Sequence, residues 1–250
     1  MPEPTRIPAE RRRRRPTRNG TVLTEELIVT AALDLIEAPG GNALTVRRLG
    51  TALGCDPSTV YRYFADTDAL LLAVADRLIG DSLDGFAPTA DWRADLREFG
   101  VRVHSSVLRH PRLAAVRASR VTAGPAECRA VDTGIGLLLA AGFSPADAVR
   151  HYRAFIDTVL AHAALDADVR TLTAQQRDQQ DRSWRSVHGN LPAAEYPHLH
   201  AVRDHLPEMA GSAFPDVLDL LLARLAALSP YGAGGAGGGE VTGGADGAVA

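Results

Sequence analysis

The stretch that decides the fold runs from Leu44 to Leu78: LTVRRLGTALGCDPSTVYRYFADTDALLLAVADRL. Val46, Leu49 and Leu53 recur at i, i+3 and i+7, the spacing of one buried helical stripe, and Thr45 stands at the capping position before them. Gly54 supplies the left-handed residue that ends such a helix without a Cβ penalty. Asp56 and Pro57 then restart a helix at once, as cap and first helical residue. A further cap, Asp66 or Thr67, opens another helix in which Leu70, Leu71, Val74 and Leu78 repeat. Two helices divided by a short glycine-containing turn form the helix-turn-helix pattern, whose second helix enters the major groove of DNA.

The segment DPSTVYRYF repays a helical-wheel reading. With Val60 and Phe64 on the buried face, Arg62 points away from the core, Ser58 and Thr59 lie to either side of it, and Tyr61 and Tyr63 flank the buried face. Arginine bonds guanine bidentately, hydroxyls take phosphates or base edges, and a threonine methyl touches thymine. Pro57 starts this helix and Thr67 the next, while Thr45, Arg47 and Arg48 begin the preceding one, where side chains and helix N-termini meet phosphate. The expected DNA-binding set is Thr45, Arg47, Arg48, Pro57, Ser58, Thr59, Tyr61, Arg62, Tyr63 and Thr67. The plainer alternative is a short surface helix with its polar residues outward.

Outward from this stretch the chain reads as helices throughout, an all-α fold. Leu27, Ala31 and Leu35, beside Ile28, Ala32 and Ile36, make a broad apolar stripe capped by Thr24 and ended by Pro39-Gly40-Gly41. Residues 1–20 hold seven arginines against two glutamates, and the run Arg11 to Arg15 among Pro4, Pro8 and Pro16 predicts a disordered, solvated arm. The glycine-rich residues 230–250 have no periodicity to bury and predict a disordered tail. Ser144 and Pro145 start a long helix, and a last apolar helix runs from Phe214 to Leu228.

The stretch resembles the DNA-binding domain of the tetracycline repressor (TetR) family of bacterial regulators. The residues that carry the likeness are the helix ending Ala52-Leu53-Gly54, the turn, Ser58-Thr59-Val60-Tyr61-Arg62-Tyr63-Phe64, and the leucine-rich helix after it. A helix led by Trp92, the run Val107-Leu108-Arg109-His110-Pro111 and the start Gly142-Phe143-Ser144 extend the likeness over most of residues 21–229. It implies a three-helix DNA-binding domain at 21–80, with the helix-turn-helix at about 45–64, and a larger helical effector-binding and dimerisation domain at 81–229. It also implies a homodimer, in which two long helices from each subunit pack as a four-helix bundle. The expected interface residues are Tyr152, Ile156 and Val159 of the long helix and Leu218, Leu221, Leu222 and Leu225 of the last. The alternative is that both helices are intramolecular core.

Two departures bear on DNA binding. Family members usually carry a phosphate-contacting lysine where this chain has Thr67, and residues 21–65 carry three arginines against five acids. Counterion-release affinity then falls to Arg11 to Arg15 and Arg18, or else the run is a passive basic tail. For the effector, His151, Phe155, Thr158 and His162 share one edge of the long helix at i, i+4, i+7 and i+11. With Phe99, Val103 and Arg117 they form the expected pocket for a small hydrophobic ligand; the alternative is a polar boundary beside the core. In tetracycline repressors histidines help hold the drug and its magnesium ion, and Leu83 and Arg117 fall near those positions here, with Phe99 where an asparagine would be. Tetracycline–magnesium recognition is therefore not expected.

Composition narrows the remaining classes. The 250 residues are 46% hydrophobic and 23% charged, with net charge −3, which is globular and without a global positive field. All 27 basic residues are arginine, so no lysine chemistry is available. Two cysteines make neither a disulfide framework nor a zinc site, and His198, His200 and His205 lack a completing ligand, so no metal and no cofactor is expected. Hydrolase and nucleotide-binding motifs are missing, and neither a membrane span nor a signal peptide is legible. The expectation is a cytoplasmic, non-enzymatic regulator whose partners are a double-stranded DNA operator, a small-molecule effector and a second copy. The alternative is an all-helical small-molecule-binding or interaction protein with weak or lost DNA binding.

Overall fold

The computed structural model describes residues 22–38 and 44–231. The arginine-rich arm, Pro39-Gly40-Gly41 and residues 232–250 of the tail lie outside them. The chain divides into two compact units, the first ending at Arg77 and the second beginning at Leu78.

In the first unit α1 (Glu25–Glu37), α2 (Val46–Leu53), a 3-10 helix (Pro57–Arg62) and the start of α3 (Thr67–Ser82) enclose a small core. Each helix begins where a side-chain oxygen accepts an otherwise unpaired backbone N–H. Thr24 takes Leu27 N at 3.1 Å, Thr45 takes Arg48 N at 3.3 Å, Asp56 takes Ser58 N at 2.8 Å and Asp66 takes Ala69 N at 2.7 Å. Asp66, not Thr67, is thus the cap of α3. Gly54 ends α2 at φ 63°, ψ 33°, the left-handed geometry its sequence position called for. Ile28, Ala32, Leu49, Val60, Leu70 and Val74 are buried around this turn.

The segment after the turn departs from the helical wheel. It is a 3-10 helix, closed by Thr59 N to Asp56 O and Tyr63 N to Val60 O, each 2.9 Å. Asp56 binds both the backbone N–H and the hydroxyl of Ser58 and so tightens the first turn. At three residues per turn, Tyr63 falls directly below the buried Val60 instead of flanking it. Its hydroxyl donates to Leu23 O at 2.8 Å.

In the second unit α4 (Trp92–Arg109) packs along α7 (Pro145–Thr171), with α6 (Pro125–Ala140) and α10 (Phe214–Leu228) closing over both. Phe99, Tyr152, Phe155, Phe214, Leu138 and Leu222 lie in one buried cluster contributed by all four helices. The short α5 (Ala114–Ser119) packs on α7, and α8 (Ala174–Arg182) and α9 (Pro197–Ala201) complete the described α-helices. His104 of α4 meets Asp166 of α7 at 2.8 Å and stacks on Phe214 of α10 at 3.8 Å, while the Ser212 hydroxyl also donates to Asp166. Among the described residues no helix is long and apolar enough to cross a membrane.

Candidate functional site

The exposed side of the 3-10 helix is what the first unit offers to a partner. Ser58, Tyr61 and Arg62 are exposed, Tyr61 at 53%, while Val60 and Phe64 are buried beneath them. Thr59 and Pro57 are half-buried. The Gly50 backbone lets the turn approach: a Cβ there would stand 3.0 Å from Cys55 O and 3.1 Å from Pro57 Cα. Thr45 and Arg47 are exposed at the start of α2, with Arg48 half-buried beside them. Thr67 is half-buried in the first turn of α3. Tyr63 is half-buried and its hydroxyl donates to Leu23 O, so it braces the reading face against the start of α1.

The seven expected effector residues lie on α4, α5 and α7, some in the core and some half-buried. Phe99 and Phe155 are completely buried with ring centroids 6.3 Å apart, and Val103 is buried in the same cluster. His151 is half-buried with its ring against Phe143, 4.9 Å between centroids. Thr158 is half-buried and donates to Ala154 O at 2.7 Å, while His162 is half-buried farther along α7. Arg117 is 6% exposed and donates to Ser106 Oγ at 2.9 Å; burial, with Arg109 adding, pushes its pKa down to about 10. A cavity of about 620 Å³ lies elsewhere, lined among others by Trp92, Asp132, Thr133, Leu137 and Tyr231. None of the seven expected residues lines it.

The expected dimer face is also corrected. Tyr152, Val159, Leu218, Leu222 and Leu225 are at most 7% exposed within the single chain and belong to its own core cluster. Only Ile156 and Leu221 are partly buried, packed against that cluster. Residues enclosed by their own subunit have no surface left to give a second one. The apolar residues turned outward on these helices are Val149, Leu165 and Val169 of α7 and Leu220 and Leu228 of α10, with Leu220 72% exposed.

Sequence reasoning missed the polar contacts inside the second unit. His104 was legible as one of eight histidines, but its pairing with Asp166, 62 positions away, had no local signal. Ser106, completely buried, pairs with Arg117 across eleven positions, again without periodicity to announce it.

A capped helix, a left-handed glycine turn and an exposed Ser-Tyr-Arg face, joined in one chain to a larger helical unit, define a helix-turn-helix DNA-binding regulator. The family model for bacterial regulatory proteins of the tetR family matches residues 28–74, and that for the tetracyclin repressor-like C-terminal domain matches residues 86–228. An HTH-type transcriptional regulator of Saccharopolyspora erythraea is 25% identical over 71% of this chain and 78% of its own. The class A tetracycline repressor protein from transposon 1721 in Escherichia coli is 29% identical over 59% of this chain and 71% of its own. The solved structure of apo ActR from Streptomyces coelicolor shares the fold with a TM-score of 0.70 at 24% identity, covering 82% of this chain and 95% of that one. The chain belongs to the tetR family of bacterial regulatory proteins. It is a ligand-responsive DNA-binding transcriptional regulator.

Proposed function

We propose that the protein is a homodimeric repressor that holds a palindromic DNA operator and leaves it when a small hydrophobic effector binds. The observation that carries this reading is the exposed face of Ser58, Tyr61 and Arg62 on a short helix fixed by the Gly54 turn and the Tyr63 brace. Arg62 and Tyr61 read base edges, Ser58 and Thr59 add hydroxyls, and Thr45, Arg47 and Arg48 meet phosphate at the start of α2. Arg11 to Arg15 and Arg18 supply the charge that Thr67 does not. As a regulator of bacterial DNA the protein acts in the cytoplasm.

One such head reads only a few base pairs, so two-fold symmetry is needed to give an operator of useful length. Leu165 and Val169 of α7 and Leu220 of α10 form the dimer face, Leu220 and Leu165 foremost at 72% and 62% exposure. A ligand releases DNA only as far as it prefers the non-binding dimer; a hundredfold preference amounts to about 2.7 kcal/mol per site.

The test titrates wild-type protein and the variants Thr59→Ala, Tyr61→Ala and Arg62→Ala on operator and on random DNA. Each lost base contact weakens operator binding by about 1–3 kcal/mol, with helicity and random-DNA affinity unchanged. Operator binding like wild type in all three would refute the assignment of the reading face. Leu220→Asp yields a folded monomer in sedimentation, and a wild-type monomer at micromolar concentration would remove the dimer from the proposal.

A further inference from the structure

Arg117 of α5 is a buried cation without an anion. Only 6% of its surface is exposed, and among the described residues no carboxylate pairs with it. One guanidinium nitrogen, Nη1, donates to Ser106 Oγ at 2.9 Å, and Nε is enclosed with no acceptor. Ser106 is itself completely buried and passes its own hydroxyl to the Leu78 carbonyl at 3.3 Å. The charged group that acts on Arg117 is Arg109, a second cation, which repels it. The lowered pKa of about 10 still leaves the guanidinium charged at neutral pH.

This arrangement is costly for a free protein. An unpaired charge taken out of water is among the most unfavourable groups a fold can hold, and a single hydroxyl offsets little of that. A lysine relieves such burial by losing its proton; an arginine does not. Nε also stands on the edge of the guanidinium fork that binds carboxylates bidentately. The residues nearby in sequence are mixed: Arg109 and His110 interact with Arg117 through charge, while Val107, Leu113 and Ala114 are buried, Val107 and Ala114 in one cluster with Ala163 and Ala167 of α7. A buried cation with one hydrogen-bonding edge unused, in a unit whose core is apolar, suits an apolar molecule that carries one negative group.

We propose that Arg117 and Ser106 receive the anionic head of the effector, so that the ligand class of this regulator is an organic acid with an apolar body. The inference rests on the reading of the protein as an effector-released regulator. It assigns charge recognition to α4 and α5. Acid binding completes the half-satisfied guanidinium, and the amount by which that pairing is stronger in one state than in the other shifts the regulator between them.

The experiment uses the full chain, with thermal melting and direct titration. Octanoate, salicylate and indole-3-acetate are each compared with their own amides, 4-nitrophenol at alkaline pH with nitrobenzene, and sodium chloride serves as the inorganic control. At least one acid is expected to bind tenfold or more tightly than its neutral counterpart. That preference falls below threefold in Arg117→Met. Arg117→Lys, which keeps the charge and loses the fork, retains only part of it, and it decides the matter if Arg117→Met does not fold. A preference confined to 4-nitrophenol identifies an acidic phenol, and one confined to the other probes a carboxylate. No acid preferred over its neutral partner, an undiminished preference in the folded variants, or equal stabilisation by chloride would each overturn the inference. Operator binding by the ligand-free protein is measured in parallel. DNA binding without any acid preference refutes the inference alone, whereas acid preference without DNA binding refutes the regulator reading.

Discussion

The two units of the chain are built by different means. The first has a small core with a single buried aromatic side chain, Phe64, and its shape is fixed by point contacts: four side-chain caps, the Gly54 turn and the Tyr63–Leu23 bond. The second is fixed by volume. Trp92, Phe99, Phe143, Tyr152, Phe155 and Phe214 fill one cluster in which α4 and α7 share the longest contact. Point contacts leave the outer face of a short helix free to be all polar, which suits a surface that reads DNA. Volume filling is what a unit needs if its packing is to exist in two arrangements and respond to a ligand.

The largest effect that tests this contrast is expected in the second unit. Phe155→Ala removes a completely buried ring and leaves a cavity, costing about 3–5 kcal/mol, seen as a large fall in melting temperature. A loss below 1 kcal/mol would mean that the cluster repacks freely and that volume does not fix it. Overfilling is the next test. A Cβ at Gly134 would stand 2.1 Å from Tyr152 Cε2, so Gly134→Ala must displace the ring and cost about 1–3 kcal/mol. A neutral Gly134→Ala would show slack between α6 and α7.

In the first unit the effects are smaller and more local. Tyr63→Phe deletes the bond to Leu23 while keeping the ring, and about 0.5–1.5 kcal/mol of stability should go with it. Chemical denaturation measures that loss. Operator discrimination should be retained, because Tyr63 braces the reading face; relaxed discrimination would return it to the readers. The smallest effect is expected from pH. Burial first, then Arg109 and Arg117, lowers the pKa of His110 in the folded state. The unfolded chain therefore binds the proton more readily, and stability rises with pH. The contribution is complete above about pH 6.5 and is lost as pH falls below that value toward the lowered folded pKa. Melting curves between pH 5.5 and 7.5 for wild type and His110→Gln isolate it; a wild type that gained stability relative to His110→Gln on acidification would reverse the sign.

Legibility followed the same division. The caps at Thr24, Thr45 and Asp56 and the left-handed Gly54 were all readable, because each is a local device acting within a few residues. The 3-10 form of Pro57–Arg62 was not, since six residues carry too few periodic positions to separate 3.6 from 3.0 per turn. That difference takes Tyr63 from a flank of the buried face to a place below Val60, where it acts as the brace. In α7 and α10 apolar residues occupy more than one face, and amphipathicity alone offers no way to say which face the chain keeps for itself. The family resemblance assigns Tyr152, Val159, Leu218, Leu222 and Leu225 to a second subunit, yet they lie in the protein's own core.

The linear pattern is enough for the helical class, for the helix-turn-helix with its caps and turn, and for Arg62 and Ser58 on the outer side. These follow from interactions between residues near in the chain, which a linear pattern records. Only the tertiary structure decided that Phe99 and Phe155 pack on each other, that Ser106 meets Arg117 and leaves its Nε without an acceptor, and that His104 pairs with Asp166. Those contacts join separate helices whose mutual rotation is set by how side-chain volumes interlock, and that is a property of the packed whole.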